Sequence, residues 1–165
     1  MKNNFFLSFL FLFLFFQPVM ADNLNIQSSS IEVDKKRKLT IFKKGVVATD
    51  ARKNVLKSDH AEYDKNLKLL KSIGKTTILT SEGFSLSGSN IIFDNKNNLL
   101  KSNDPVTIKD LENNSIFLEG FEYSTNKNFF RSTGKIKLID EKKNVFNFSQ
   151  IFIDEKKREI IGTDI

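Results

Sequence analysis

Within several short segments of the chain, the residue types alternate with a period of two, so that every second residue belongs to the same side of the segment. After Gly74, Pro105 and Gly134, one side of each segment carries two residues, and these pairs are Thr76/Ile78, Val106/Ile108 and Ile136/Leu138. Because successive side chains of a β-strand point to opposite faces, the pattern predicts strands that are buried on one face. Further alternating segments add six inward candidates: Leu56, Leu86, Ile116, Leu118, Phe146 and Phe148. No window of ten or more residues after residue 21 has amphipathic helical spacing, so we expect a nearly all-β protein.

The strand pattern returns every thirty residues. An apolar residue followed by a small polar one marks each unit: Val33-Asp34, Tyr63-Asp64, Phe93-Asp94, Tyr123-Ser124 and Ile153-Asp154. Six positions after the first residue of these pairs come Leu39, Leu69, Leu99 and Phe129. A turn-forming position follows at Gly45, Gly74, Asp104-Pro105 and Gly134. The first unit is one residue longer there, which predicts a β-bulge or a longer turn.

A unit of thirty residues cannot bury its apolar side alone, so it must stack on its neighbours. The Asx-rich and Lys-rich turns favour antiparallel reversal over a parallel solenoid. We therefore predict that residues 22–165 form an elongated antiparallel β-jellyroll (β-taco), whose two facing sheets enclose an apolar trough. The residues predicted to line the trough are Val33, Leu39, Leu56, Tyr63, Leu69, Ile78, Leu86, Phe93, Leu99, Ile108, Leu118, Tyr123, Phe129, Leu138, Phe148 and Ile153. Such rows are ordinary core in most β-stacks, and the sequence does not separate core residues from residues that touch a ligand.

Residues 1–21 have the features of a secretory signal peptide. Lys2 precedes an apolar run from Phe5 to Phe16, and Val19-Met20-Ala21 has the small-residue spacing that signal peptidase accepts. A helix of these 12 residues covers about 18 Å, short of the roughly 30 Å hydrocarbon core of a bilayer. We expect cleavage before Asp22, with a permanent anchor as the alternative.

The charges and the reactive side chains do not indicate catalysis. The chain has a formal net charge of +6, and its cations are scattered, as suits a solvated exterior facing an anionic surface or ligand, with nucleic acid the weaker alternative. Without cysteine it has neither disulfides nor thiolate ligands, and His60 is the only histidine. The stretch from Gly83 to Gly88 lacks the G-x-S-x-G spacing of a nucleophile elbow. The repeated aspartates directly precede polar turns, so we expect Asx-turns rather than a metal or carboxylate site.

The repeats carry a family resemblance. A strand ending in "YD" or "FD", a short polar turn, a strand such as "LLKS", and then a glycine with a β-branched strand resemble the OstA-like domain over residues 26–165. That domain occurs in the lipopolysaccharide-transport proteins LptA, LptC and LptD. The sequence of the last unit, "FIDEKKREIIGTDI", most resembles the N-terminal domain of LptD. The tripeptides "GVV" and "GKT" stand where the family commonly has "GNV". A free-standing LptA-like protein, a truncated product and a separate half of a split LptD all stay open, because 165 residues leave no room for the LptD barrel.

The resemblance implies a periplasmic, non-enzymatic lipopolysaccharide-binding module without a cofactor, which can also associate with the outer membrane. Acyl chains of lipid A would lie in the trough, and sugars and phosphates outside. The implied partners are lipopolysaccharide, other OstA-like domains joined by edge-strand pairing, and the outer-membrane translocon. A structural or adhesive β-repeat protein without lipid cargo is the alternative. An enzyme acting on polysaccharide would need carboxylates that converge on one outer face, whereas these aspartates fall at turns.

Overall fold

The computed structural model describes residues 25–49, 53–81, 83–124, 126–154, 156–157 and 159–163, and these are antiparallel β-structure joined by turns. The first eight strands are β1 Asn25–Gln27, β2 Ser30–Asp34, β3 Leu39–Thr49, β4 Val55–Asp64, β5 Leu69–Leu79, β6 Ser85–Ser89, β7 Ile92–Asp94 and β8 Leu99–Ser102. The other eight are β9 Val106–Lys109, β10 Ser115–Leu118, β11 Phe121–Ser124, β12 Phe129–Ser132, β13 Ile136–Ile139, β14 Val145–Phe148, β15 Gln150–Asp154 and β16 Glu159–Thr163. The predicted all-β, antiparallel fold is confirmed. The predicted signal peptide lies outside the described residues, and within them no helix could cross a membrane.

The sheet is folded into two half-sheets. Half A has the strand order β1-β3-β4-β5-β6-β9-β10-β13-β14, and half B has the order β2-β3-β4-β5-β7-β8-β11-β12-β15-β16. The long strands β3, β4 and β5 run through both halves, whereas each later pass is divided into two short strands. We call the line along which the halves meet the corner.

Bulges and glycines bend the long strands at the corner. The register between β3 and β4 shifts between Lys43 and Val46, which confirms the bulge predicted from the longer first unit. Gly74 has a φ of 79°, in the left-handed region that favours glycine. A Cβ atom there would lie 2.7 Å from Oδ2 of Asp59. The glycine therefore lets the backbone turn close beside that carboxylate.

Carboxylates bind the backbone on the exposed side of the corner. Asp59 Oδ2 accepts a hydrogen bond from the Lys75 N–H at 3.1 Å, and Glu119 Oε2 accepts one from the Lys135 N–H at 3.1 Å. In the unit between them Pro105 takes the donor's place and has no N–H to give. Among these three units, the two that have a backbone donor at this position also have the carboxylate, and the unit with proline has Ser89 in its place.

Both halves contribute to one core. Seventeen buried apolar residues form the main cluster, and they come from strands on either side of the corner. A smaller cluster at the N-terminal end holds Phe42, Val46, Ala61 and Leu70. Phe93 packs against both clusters. The two halves thus lie face to face, and their facing surfaces together are the inner face of the molecule.

The aspartates that begin the half B turns make Asx-turns, as predicted. Asp64 Oδ1 accepts hydrogen bonds from the Asn66 and Leu67 N–H groups at 2.8 and 2.9 Å. Equivalent bonds reach the carboxylates of Asp34, Asp94 and Asp154. Four of the half B turns end in a residue with φ between 53° and 56°, and these residues are Lys38, Lys68, Asn98 and Asn128. The short polar turns therefore close each hairpin locally.

Three turn carboxylates have lowered pKa values. The pKa of Asp34 is lowered by hydrogen bonds from the backbone and then the side chain of Arg37. Burial acts to raise the pKa of Asp94, but hydrogen bonds from the Asn97 side chain and N–H outweigh it, so that pKa is lowered. The pKa of Asp140 is lowered in the same way, because hydrogen bonds from Asn144 outweigh burial.

We expect these turns to make the protein sensitive to acid. A carboxyl whose pKa is lower in the folded state stabilises the fold above its unfolded pKa, and this contribution is lost as the pH falls through the folded value. The thermal midpoint should therefore decline as the pH drops below 3.8, the ordinary value for these groups. Circular dichroism melts across the acid range measure this. In the triple variant Asp34→Asn, Asp94→Asn, Asp140→Asn the thermal midpoint should fall less steeply as the pH drops. If it fell as steeply as in the wild type, these three carboxylates would not be the source of the acid sensitivity.

Candidate functional site: the apolar inner face

Most of the predicted trough residues lie on the inner face. Eight of them are buried there, with exposed fractions of 0 to 8%: Leu56, Ile78, Leu86, Ile108, Leu118, Tyr123, Leu138 and Ile153. Phe93 and Phe148 are partly buried and pack against the main cluster, and Tyr63 packs against the smaller one. The period-two pattern thus located this surface, while contact of these side chains with lipid stays a prediction.

Four predicted trough residues lie on the opposite face, and their placement must be corrected. Leu69 pairs with Asp64 and Asp94, whereas its neighbour Leu70 pairs with the inner residues Tyr63 and Phe93. Cross-strand partners share a face, so Leu70 points inward and Leu69 outward. By the same register the outward residues are Leu39, Leu69, Leu99 and Phe129. The inward residues that take their place are Thr40, Leu70, Leu100 and Phe130.

The error comes from counting through a turn as if it were a strand. An even spacing keeps a side chain on one face only while the chain continues as a single strand. Between Tyr63 and Leu70 the chain reverses through four turn residues, so the partners are seven positions apart. The doublets "LL" and "FF" carried the signal that was missed, since each has one member on either face.

Val33 is on the inner face but is largely exposed. It pairs with Thr40, which pairs with the inner residue Tyr63, yet its exposed fraction is 62%. Ile31 on the same strand has an exposed fraction of 58%. Among the described strands β2 pairs only with β3, so no second neighbouring strand of that set covers these side chains. The inner face therefore emerges at the N-terminal end of the stack.

A row of buried serines crosses the inner face at the corner. Ser72, Ser102 and Ser132 have an exposed fraction of 0% and stand thirty residues apart. Ser72 Oγ accepts from the Ile91 N–H at 2.9 Å, and Ser132 Oγ accepts from the Ile151 N–H at 3.0 Å. The repeated "KS" and "RS" at the strand ends are the sequence signal for this row. These hydroxyls bind the backbone where adjacent strands separate towards different halves.

Ser102 makes a similar set of contacts in the middle of the row. Its hydroxyl lies within hydrogen-bond distance of the Ser89 and Asp104 carbonyl oxygens at 3.2 and 3.0 Å, and it accepts from the Asp104 N–H at 3.1 Å. Since such groups are costly to bury unpaired, the row has a structural role.

A separate cavity lies at the corner ends of β10, β13 and β14. Its volume is about 670 Å³, and its lining includes Pro105, Phe117, Glu119, Lys135 and Phe148. It involves residues of both faces and is not the centre of the inner face, where the side chains pack against each other. No group of three His, Asp or Glu side chains within the described residues could hold a metal ion.

Both ends of the stack present edge strands. Among the described strands, β1 and β2 pair only with β3 at the N-terminal end. At the other end β14 pairs only with β13, and β16 only with β15, within the same described set. Edge strands offer unpaired backbone groups to an additional strand. Each end of each half could therefore accept one.

The geometry of the described residues defines a class of protein: an unclosed antiparallel β-jellyroll with an apolar inner face, whose described edge strands are unpaired on one side at both ends. No protein-family model matches the chain, and no curated protein matches it. Twelve chains of solved structures match. One of them is LptH from Pseudomonas aeruginosa, described as the LptA-homologous periplasmic component of the conserved lipopolysaccharide transport device. The identity is 17% and the TM-score 0.35, and the match covers 87% of this chain and 84% of that chain.

Proposed function

We propose that the protein is a periplasmic lipopolysaccharide-binding module that shelters the acyl chains of lipid A during transport to the outer membrane. The observation that carries the proposal is the inner face, which is apolar in all five repeats and opens at the N-terminal end through Ile31 and Val33. Adjacent exposed apolar side chains that continue a buried apolar face are typical of a surface that a ligand or partner covers.

Acyl chains that cross an aqueous compartment need a carrier that keeps them out of contact with water. Each methylene kept from water is worth about 0.8 kcal/mol, so several chains of about a dozen carbons represent tens of kcal/mol. Ten strands of half B at about 4.8 Å spacing form an inner surface roughly 43 Å long. That length gives room for acyl chains, provided that the two halves separate to admit them. The halves join at the corner, so the opening would lie between their two rows of turns.

The free edges suit serial assembly with other domains of the same kind. A second OstA-like domain that added a strand beside β2 or β16 would continue the sheet and extend the inner face. Such pairing would cover Ile31 and Val33 at the N-terminal end. In this proposal the partners are lipopolysaccharide, other jellyroll domains and the outer-membrane translocon, and the chain serves as one module of that assembly.

Site-specific photo-crosslinking in lipopolysaccharide-producing cells tests the proposal. Benzoylphenylalanine replaces Phe93, which is partly buried on the inner face, or Phe117, which is 40% exposed on the opposite face. We expect a lipopolysaccharide adduct, detected by mass spectrometry, at position 93 and none at position 117. Adducts of equal yield, or none at 93 with the protein folded, would contradict the proposal and favour a structural or adhesive role.

A further inference from the structure

The two rows of turns differ in charge. The row on half B is formed by the described residues within 34–38, 64–68, 94–98, 124–128 and 154–158, and these include ten cations and four acids. The row on half A is formed by the described residues within 53–54, 80–84, 110–114 and 140–144, and these include three cations and four acids. The positive charge of the described turns is therefore concentrated on one long edge of the molecule, which we call the basic edge.

Six of the ten cations on the basic edge belong to its first two turns. They are Lys35, Lys36, Arg37, Lys38, Lys65 and Lys68, and all six are exposed. The two turns are neighbours, because Leu39 at the end of the first pairs with Asp64 at the start of the second. Their centres lie two strands apart, about 10 Å. Leu67, between the two lysines of the second turn, is 54% exposed.

Nearby acids only partly neutralise this cluster. Asp34 forms an ion pair with Arg37 at 2.7 Å, and Asp64 binds the backbone of its own turn. Glu32 pairs with Lys43 at 2.6 Å, and both Glu32 and Glu62 act on Arg37 through space. Among the described residues no ion pair involves the five lysines of the two turns. A net positive surface with one apolar side chain therefore faces solvent.

We propose that the first two turns of the basic edge, residues 34–38 and 64–68, dock the protein onto an anionic bilayer surface. Clusters of four to eight Lys and Arg bind such surfaces, with a factor of about five in affinity for each cation close to the surface. Leu67 would enter the headgroup region beside them. This docking is independent of whether the inner face carries lipid.

The geometry favours a surface over an enclosed ligand. The cations project from two exposed turns and do not converge on a pocket, so they cannot surround a single phosphate. Sheet twist rotates successive strands by about 20°, so a plane can meet two adjacent turns but not all five. Nucleic acid would favour a longer basic stripe interleaved with aromatic side chains, and the two turns contain none.

The repeat supplies a variant that removes charge and retains the turn. The third turn, Asp94-Asn95-Lys96-Asn97-Asn98, has the same Asx-turn and the same positive φ at its last residue, and Asn97 Nδ2 takes the place of the Arg37 guanidinium in binding the aspartate. The triple variant Lys35→Asn, Arg37→Asn, Lys38→Asn gives the first turn this sequence. The matched control, Lys53→Asn, Lys142→Asn, Lys143→Asn, removes three cations from the other edge, where Asn113 already occupies the equivalent positive-φ position.

Vesicle co-sedimentation tests the proposal, with the protein recovered from export-competent cells and its N-terminus established by mass spectrometry. The probes are vesicles of phosphatidylcholine alone or mixed with phosphatidylglycerol, at low and high salt. We expect the wild type to prefer the anionic vesicles at low salt, the first-turn variant to lose about 100-fold in that preference, and the control to change little.

Three results would overturn the proposal. They are equal binding to both kinds of vesicle, equal loss in the two triple variants, and binding to DNA with the same lysine dependence but without binding to vesicles. The photo-crosslinking experiment at position 93 tests lipopolysaccharide binding and does not depend on the vesicle experiment. A failure of membrane docking can therefore be distinguished from a failure of lipid binding.

Discussion

Leu100→Asn should unfold the protein, whereas Leu99→Asn should leave it folded. Leu100 has an exposed fraction of 6% and belongs to the main core cluster, while Leu99 is half-buried on the outer face beside Asp94. Removing a buried leucine costs about 2–5 kcal/mol, and an unpaired buried amide adds about 1–3 kcal/mol. That total is comparable to the whole stability of a typical domain, about 5–15 kcal/mol. The same change at Leu99 should cost about 1 kcal/mol or less.

Urea denaturation followed by circular dichroism measures both variants. Because the two leucines are adjacent and receive the same substitution, the comparison isolates the face on which each side chain lies. If both variants were equally stable, or if Leu99→Asn were the less stable, the assignment of inner and outer faces would be wrong.

Replacing the three corner serines together should destabilise the protein by roughly 3–9 kcal/mol. Ser72 and Ser132 each bind a buried backbone N–H group and Ser102 binds a partly buried one, and leaving such a group unpaired costs about 1–3 kcal/mol. Successive serines lie two strands apart, about 10 Å, so the effects should be nearly additive. The triple variant with alanine tests this by urea denaturation.

Ser87→Ala is the control for the serine row. Ser87 is exposed on β6, pointing away from the core, so its replacement should change the unfolding free energy by less than about 0.5 kcal/mol. A triple variant as stable as this control would show that water replaces the serine hydroxyls and that the row does not hold the corner.

The period-two pattern and the thirty-residue repeat predicted the fold class, the antiparallel hairpins, the bulge and most of the inner face. These features depend on local alternation and turn chemistry, which one sequence displays directly. The Asx-turns were predictable for the same reason, because Asp64 binds N–H groups two and three residues away.

Other features depend on register and could not be read locally. The face of Leu69 follows from its pairing with Asp64 across a turn, which the spacing alone does not fix. The role of Ser72 depends on Ile91, which is nineteen residues away and directly precedes β7. Exposure of Val33 depends on its strand being at the edge of the sheet. In each case the missing information was which strand lies beside which.

The division of the later strands at the corner has a mechanical consequence. At the N-terminal end β3, β4 and β5 cross from one half to the other as continuous hydrogen-bonded strands. Beyond them each crossing is a short connection, as at residues 103–105 and 133–135. Paired strands resist bending more than single connecting segments do, so the hinge stiffness should decrease along the stack. The two halves would then separate more readily at the C-terminal end of the stack than at the N-terminal end, where the continuous strands hold them at a fixed angle.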